Sequence, residues 1–136
     1  MSWTRGLGLA GLVLGVLGLL GCGRYEEIFR LPSPDGRVDA VVVEVEAGGG
    51  NPFVYRLYLV GRGEAWRKGQ VRLTYTAPVR FRVTWADARH LELCYDEANI
   101  DPGGTPVAPN AGQRPQDLVE IKLVKPVTDC TAPPPS

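Results

Sequence analysis

The chain has 136 residues, with 15 Lys and Arg set against 15 Asp and Glu and a single His. That length suits one domain and excludes a multidomain enzyme or a long solenoid. The even charge argues against a dedicated nucleic-acid binder, which carries a basic excess.

Residues 6–21 contain no charged or polar side chain, follow Arg5, and end in Leu19-Leu20-Gly21-Cys22. A basic start, a short apolar stretch and a small residue at the cut site make a signal peptide. The stretch carries six Gly and is shorter than the about 20 apolar residues a spanning helix needs. Its last four residues resemble the lipobox of bacterial lipoproteins. The resemblance implies a diacylglycerol on the Cys22 thiol, removal of residues 1–21, and a mature chain held at a membrane by its N-terminal lipid. Gly23 follows Cys22, where an Asp would favour retention at the inner membrane of a Gram-negative cell. The expected address in such a cell is therefore the periplasmic face of the outer membrane.

After a short linker at residues 22–24, a domain is expected over residues 25–125. Short alternating runs are punctuated there by Gly, Pro, Asn and Asp, the signature of an all-β fold. Residues 25–31 lead into Pro32-Ser33-Pro34-Asp35-Gly36, a tight turn in which Pro presets φ and Gly accepts a positive φ. Residues 37–46 follow. Val41, Val43 and Val45 share one face and Val38, Ala40 and Val42 the other, so this strand is expected to be covered on both sides at its start. Beyond Gly48-Gly49-Gly50-Asn51-Pro52, residues 53–60 set Phe53, Tyr55, Leu57 and Leu59 against Val54, Arg56, Tyr58 and Val60. A Gly-bounded loop then holds Trp66.

Residues 71–77 and 79–85 alternate on either side of a break at Pro78, and a short loop at 86–89 leads to a strand with Leu91, Leu93 and Tyr95 opposite His90, Glu92 and Cys94. Residues 102–116 form a long Pro/Gly-rich loop, of a length that is functional or disordered as a rule. The last strand is expected at 117–125 and a flexible tail at 126–136. About seven strands with mostly hairpin-length connections predict a small antiparallel sandwich or open barrel.

The run Ser33-Pro34-Asp35-Gly36-Arg37-Val38-Asp39-Ala40-Val41 is similar to the opening motif of a group of small uncharacterised bacterial envelope proteins, S-P-D-G-[KR]-x-D-A-V. The Gly-rich turn at 48–50, the aromatic strand at 53–60, Trp85-Ala86-Asp87, Leu91 to Tyr95 and Ala98-Asn99-Ile100 extend the resemblance over residues 31–100. Asn51-Pro52 and the segment after residue 101 depart from it. The resemblance implies a small β fold and carries no activity.

With Cys22 lipidated, Cys94 and Cys130 remain, an even count for an oxidising compartment. Alternation puts Cys94 on the outer face, within reach of the tail, so a Cys94–Cys130 disulfide is the expected pair. His90 has no evident nucleophile partner and reads as solvated. Asp96, Glu97, Asn99 and Asp101 crowd oxygens into six residues but lack the spacing of a calcium loop and read as an acidic turn. No metal or cofactor is expected. Arg72, Arg80 and Arg82, with Thr74, Thr76 and Thr84, lie on the polar faces of two successive strands. If those strands pair, they make a cationic strip suited to phosphate or carboxylate. The expected role is a non-catalytic binding or structural accessory domain of the cell envelope, its partners being the membrane and an envelope protein or anionic ligand. The alternatives are a small envelope hydrolase and an anionic-ligand carrier. Converging carboxylates would mark the first and a hollow barrel the second.

Overall fold

A computed structural model describes residues 24–46, 48–102 and 114–131. The expected signal peptide and Cys22, most of the 102–116 loop and the last five residues lie outside these. The fold is all-β: β1 (Arg24–Pro32), β2 (Val38–Glu46), β3 (Val54–Gly61), β4 (Val71–Val79), β5 (Arg82–Asp87), β6 (His90–Cys94), β7 (Glu97–Asp101) and β8 (Glu120–Val124). They form an antiparallel five-stranded sheet, β1-β2-β3-β4-β7, and a three-stranded sheet, β5-β6-β8, which face each other as a sandwich and do not close into a barrel. Among the described residues no helix is long and apolar enough to cross a membrane.

The β1–β2 turn forms as its residues dictate. Gly36, at φ +71°, turns the chain. The Ser33 hydroxyl donates to Asp35 at 2.6 Å and accepts the Val38 N–H at 3.1 Å, and Asp35 accepts the Arg37 N–H at 3.1 Å. The Ser33 hydroxyl, followed by the Arg37 N–H, holds the Asp35 carboxyl below its ordinary value. β1 has a bulge at Ile28, where the pairing with β2 slips between Glu27 and Phe29.

β2 is covered on both faces. Val38, Ala40 and Val42 meet Leu57, Leu59, Leu73 and Tyr75 of their own sheet, and Trp85, Leu91 and Leu93 of the other, in the main core. Val41, Val43 and Val45 pack with Tyr58 and Val60 in a second cluster outside the sandwich, capped by Trp66 and Val71. The Trp85 indole N–H bridges the two sheets by donating to the Leu31 carbonyl at 2.9 Å.

The main departure from expectation lies between residues 71 and 101. Runs 71–77 and 79–85 read in sequence as two successive strands on either side of Pro78. Instead β4 continues through Pro78 to Val79, with Ala77 and Arg80 at φ +50° and +49°. The chain then crosses into the other sheet as β5. Its partner makes the same crossing: β4 pairs with β7 and β5 with β6, and the register runs on from Val79↔Glu97 to Arg82↔Cys94. Residues 71–101 are thus one long hairpin, bent at the corner and shared by both sheets. Tyr55, Tyr75, Phe81 and Tyr95 stack through that bend, the middle pair 3.9 Å apart and 9° from parallel. Burial, with Tyr55 adding to it, pushes the Tyr75 hydroxyl far above its ordinary value. The expected acidic turn is corrected in part, since Glu97–Asp101 is the edge strand β7.

Because β7 leaves for the larger sheet, the free edge of β6 is taken by β8, in parallel. This departs from an antiparallel arrangement throughout. The strand is also shorter than the expected 117–125: residues Pro115–Leu118 form a 3₁₀ turn.

Candidate functional site

The sequence-predicted arginines do not form a strip. Cross-strand partners share a face, and the bend puts β4 and β5 in different sheets. Arg80 sits at the corner and pairs with Asp96. Arg82 lies on the outer face of the small sheet, in one row with Cys94 and Val124. Arg72 is skipped by the β3–β4 register, which runs from Leu57↔Leu73 to Tyr58↔Val71. This bulge moves Val71 to the outer cluster and leaves Thr74 and Thr76 facing with Arg56 and Val54.

The Arg72 guanidinium reaches across the open end of the sandwich, toward the Gln116 carbonyl at 3.4 Å and the Val119 carbonyl at 3.5 Å. There it lines a cleft of about 330 Å³ with Leu59, Lys68, Gln70, Arg114 and Asp117. Three cations and one carboxylate thus line the same cleft. That carboxylate also accepts the Arg114 backbone N–H at 3.1 Å, closing the 3₁₀ turn. Burial pushes the Arg72 guanidinium below its ordinary value, and Asp117 acts in the opposite direction. Both distances to the carbonyls are long for hydrogen bonds, so Arg72 retains donor capacity toward the cleft. The chemistry on offer is recognition of carboxylate or phosphate by guanidinium and ammonium donors.

On the other side of the 66–69 turn lies a second, shallower groove of about 310 Å³, on the outer face of the large sheet. It is lined by Tyr25, Arg56, Tyr58, Trp66, Arg67, Gly69 and Val71. Trp66 stacks on Tyr25 at 6.1 Å and tilts against Tyr58 at 5.2 Å. Arg56 lies over Tyr25 at 5.7 Å and Arg67 over Trp66 at 4.4 Å. Alternation puts Arg56 and Tyr58 on one face of their strand but does not join them to Trp66, because only the fold returns that loop onto the sheet.

The remaining candidates have structural roles. Cys94 and Cys130 form a disulfide pair with Cα atoms 5.8 Å apart, the usual separation. The C-terminal segment covers the part of that face that carries Glu92 and Cys94, both of which are buried. Val127 donates its N–H to Asp96 at 3.0 Å and Thr131 donates to Glu92 at 3.1 Å. Glu92 is only 2% exposed as a result. Residues 126–131 of the expected flexible tail are thus packed. His90 is solvated at the β5–β6 turn, 2.8 Å from Asp87, and that hydrogen bond, with the Asp87 charge, raises it above its ordinary value. Among the described residues no group of three or more His, Cys, Asp and Glu side chains is placed to hold a metal ion.

No protein family's pattern matches the chain, and neither a curated protein nor a solved structure is similar to it.

Proposed function

We propose that this chain is a lipid-anchored protein of the bacterial cell envelope whose β domain is a non-catalytic binding module for an anionic ligand. The observation that carries the reading is the convergence of Lys68, Arg72 and Arg114 on one cleft, with Asp117 as the opposing carboxylate. A carboxylate or phosphate group entering there meets charged donors from three chain segments, with backbone carbonyls already orienting Arg72. The signal-like residues 6–21 and the lipobox-like Leu19-Leu20-Gly21-Cys22 support the anchor. Gly23 supports the periplasmic face of the outer membrane in a Gram-negative cell.

Titration calorimetry of inorganic phosphate and of succinate into the mature protein tests the cleft. Saturable binding of at least one is expected, weakened at least about tenfold by Lys68→Glu with Arg114→Glu, since a charge-assisted hydrogen bond contributes about 1.5–3 kcal/mol and tenfold is about 1.4 kcal/mol. Both residues are exposed, so the melting temperature should hold. No binding of either anion, or equal affinity in the double variant, refutes the cleft as the site.

A further inference from the structure

We infer that the aromatic groove of the large sheet lies against the headgroup layer of the bilayer and takes anionic phospholipid headgroups. The inference rests on the proposed lipid at Cys22. Tyr25, at the rim of the groove, is three residues along the chain from Cys22, and three extended residues span at most about 11 Å. Acyl chains that hold residue 22 at the bilayer surface therefore hold the start of β1 there as well, and with it the groove that Tyr25 helps to form.

The chemistry of the groove fits that position. Tyr25 is 46% exposed, though stacked on Trp66. Tyr and Trp favour the boundary between water and hydrocarbon, where a ring meets acyl chains and its polar tip stays wet. Arg56 and Arg67 lie on those rings, which leaves their donors at the rim and their charge beside lipid phosphates. The lining includes two Arg and no acidic residue. The carboxylates two strands from Arg56 in its row are Glu27, taken by Arg30 at 2.8 Å, and Asp101 on β7, beyond Thr74 and away from the Tyr25 side of the groove. A groove of about 310 Å³ matches a headgroup rather than a folded partner.

Mature acylated protein, its acyl mass verified, would be reconstituted in vesicles of phosphatidylethanolamine and phosphatidylglycerol with bromine near the top of the lipid chains. Removal of residues 1–21 leaves Trp66 and Trp85. Trp85 is buried between the sheets and serves as the internal reference. The expected result is strong quenching that Trp66→Phe abolishes, and that Arg56→Gln with Arg67→Gln weakens together with its dependence on phosphatidylglycerol. Acylated, vesicle-bound protein in which Trp66 stays unquenched overturns the inference alone. A mass without acyl chains overturns the anchor, and the inference falls with it.

Discussion

Removing the Cys94–Cys130 bond by the double substitution Cys94→Ala and Cys130→Ala should destabilise the domain by an amount the chain path sets. The bond closes a loop of 36 residues in sequence, and the entropy of closing such a loop in the unfolded chain is about 4 kcal/mol at 25 °C. Glu92 adds little to that figure. Its buried carboxylate accepts the Thr131 N–H, but when the C-terminal segment lifts, water replaces that donor and solvates the charge. For a domain of this size the loss corresponds to a fall in melting temperature of roughly 15 °C. Urea unfolding followed by Trp85 fluorescence gives the free energy. Hydrogen exchange at Val127 and Thr131 reports separately whether the segment has lifted. A loss below about 1 kcal/mol, outside the usual range for a native disulfide, would refute the argument. So would the detection of two free thiols in the oxidised protein.

Two further outcomes follow from charged groups. Asp39 is 3% exposed and accepts from Arg30 at 2.8 Å and from the Gly63 N–H at 2.9 Å; Asp39→Asn should cost about 2–4 kcal/mol, seen as a lower urea midpoint with unchanged slope, and an unchanged midpoint contradicts it. His90 should titrate above its ordinary value in a proton NMR series and fall back toward it in Asp87→Asn, whereas an unmoved midpoint contradicts the pairing. Because folding raises His90, the stabilisation from its pairing is complete below the ordinary histidine value and is lost as pH rises through the raised one. Folding lowers Asp87, through the Arg89 N–H first and His90 second, so its share is present above the ordinary carboxylate value and is lost as pH falls through the lowered one.

Local chemistry was the part of the fold that sequence made legible. Ser33, Asp35 and Gly36 announce their turn because each supplies a bond or a φ that the turn requires. The two valine sets of β2 announce a strand buried on both faces, and β3 divides into Leu57 and Leu59 inside and Tyr58 and Val60 outside, as its alternation says. Alternation does not say which strand is the neighbour. The polarity pattern of residues 71–85 is unchanged across the corner, so nothing in it separates two paired strands from one bent arm. The bulge at Arg72 likewise costs no visible irregularity in the sequence, yet it moves the guanidinium from a sheet face to the end of the sandwich. The cleft joins Lys68 and Arg72 to Arg114 and Asp117, and that juxtaposition exists only once β8 has docked on β6.

The irregular pairing at Ile28 bears on how many copies of the chain can share a surface. β1 is an edge strand, an open row of backbone donors and acceptors that invites a neighbour to extend the sheet. If the proposed lipid at Cys22 anchors the chain, its copies diffuse in two dimensions and meet in one orientation, the condition under which edges find each other most readily. A bulge bends the strand and twists its edge away from a neighbour. Arg24, Glu26, Glu27 and Arg30 place like charges opposite one another if two copies align in parallel. Under the proposed anchor, the deformity in β1 would let the domain be crowded on a membrane without polymerising along it.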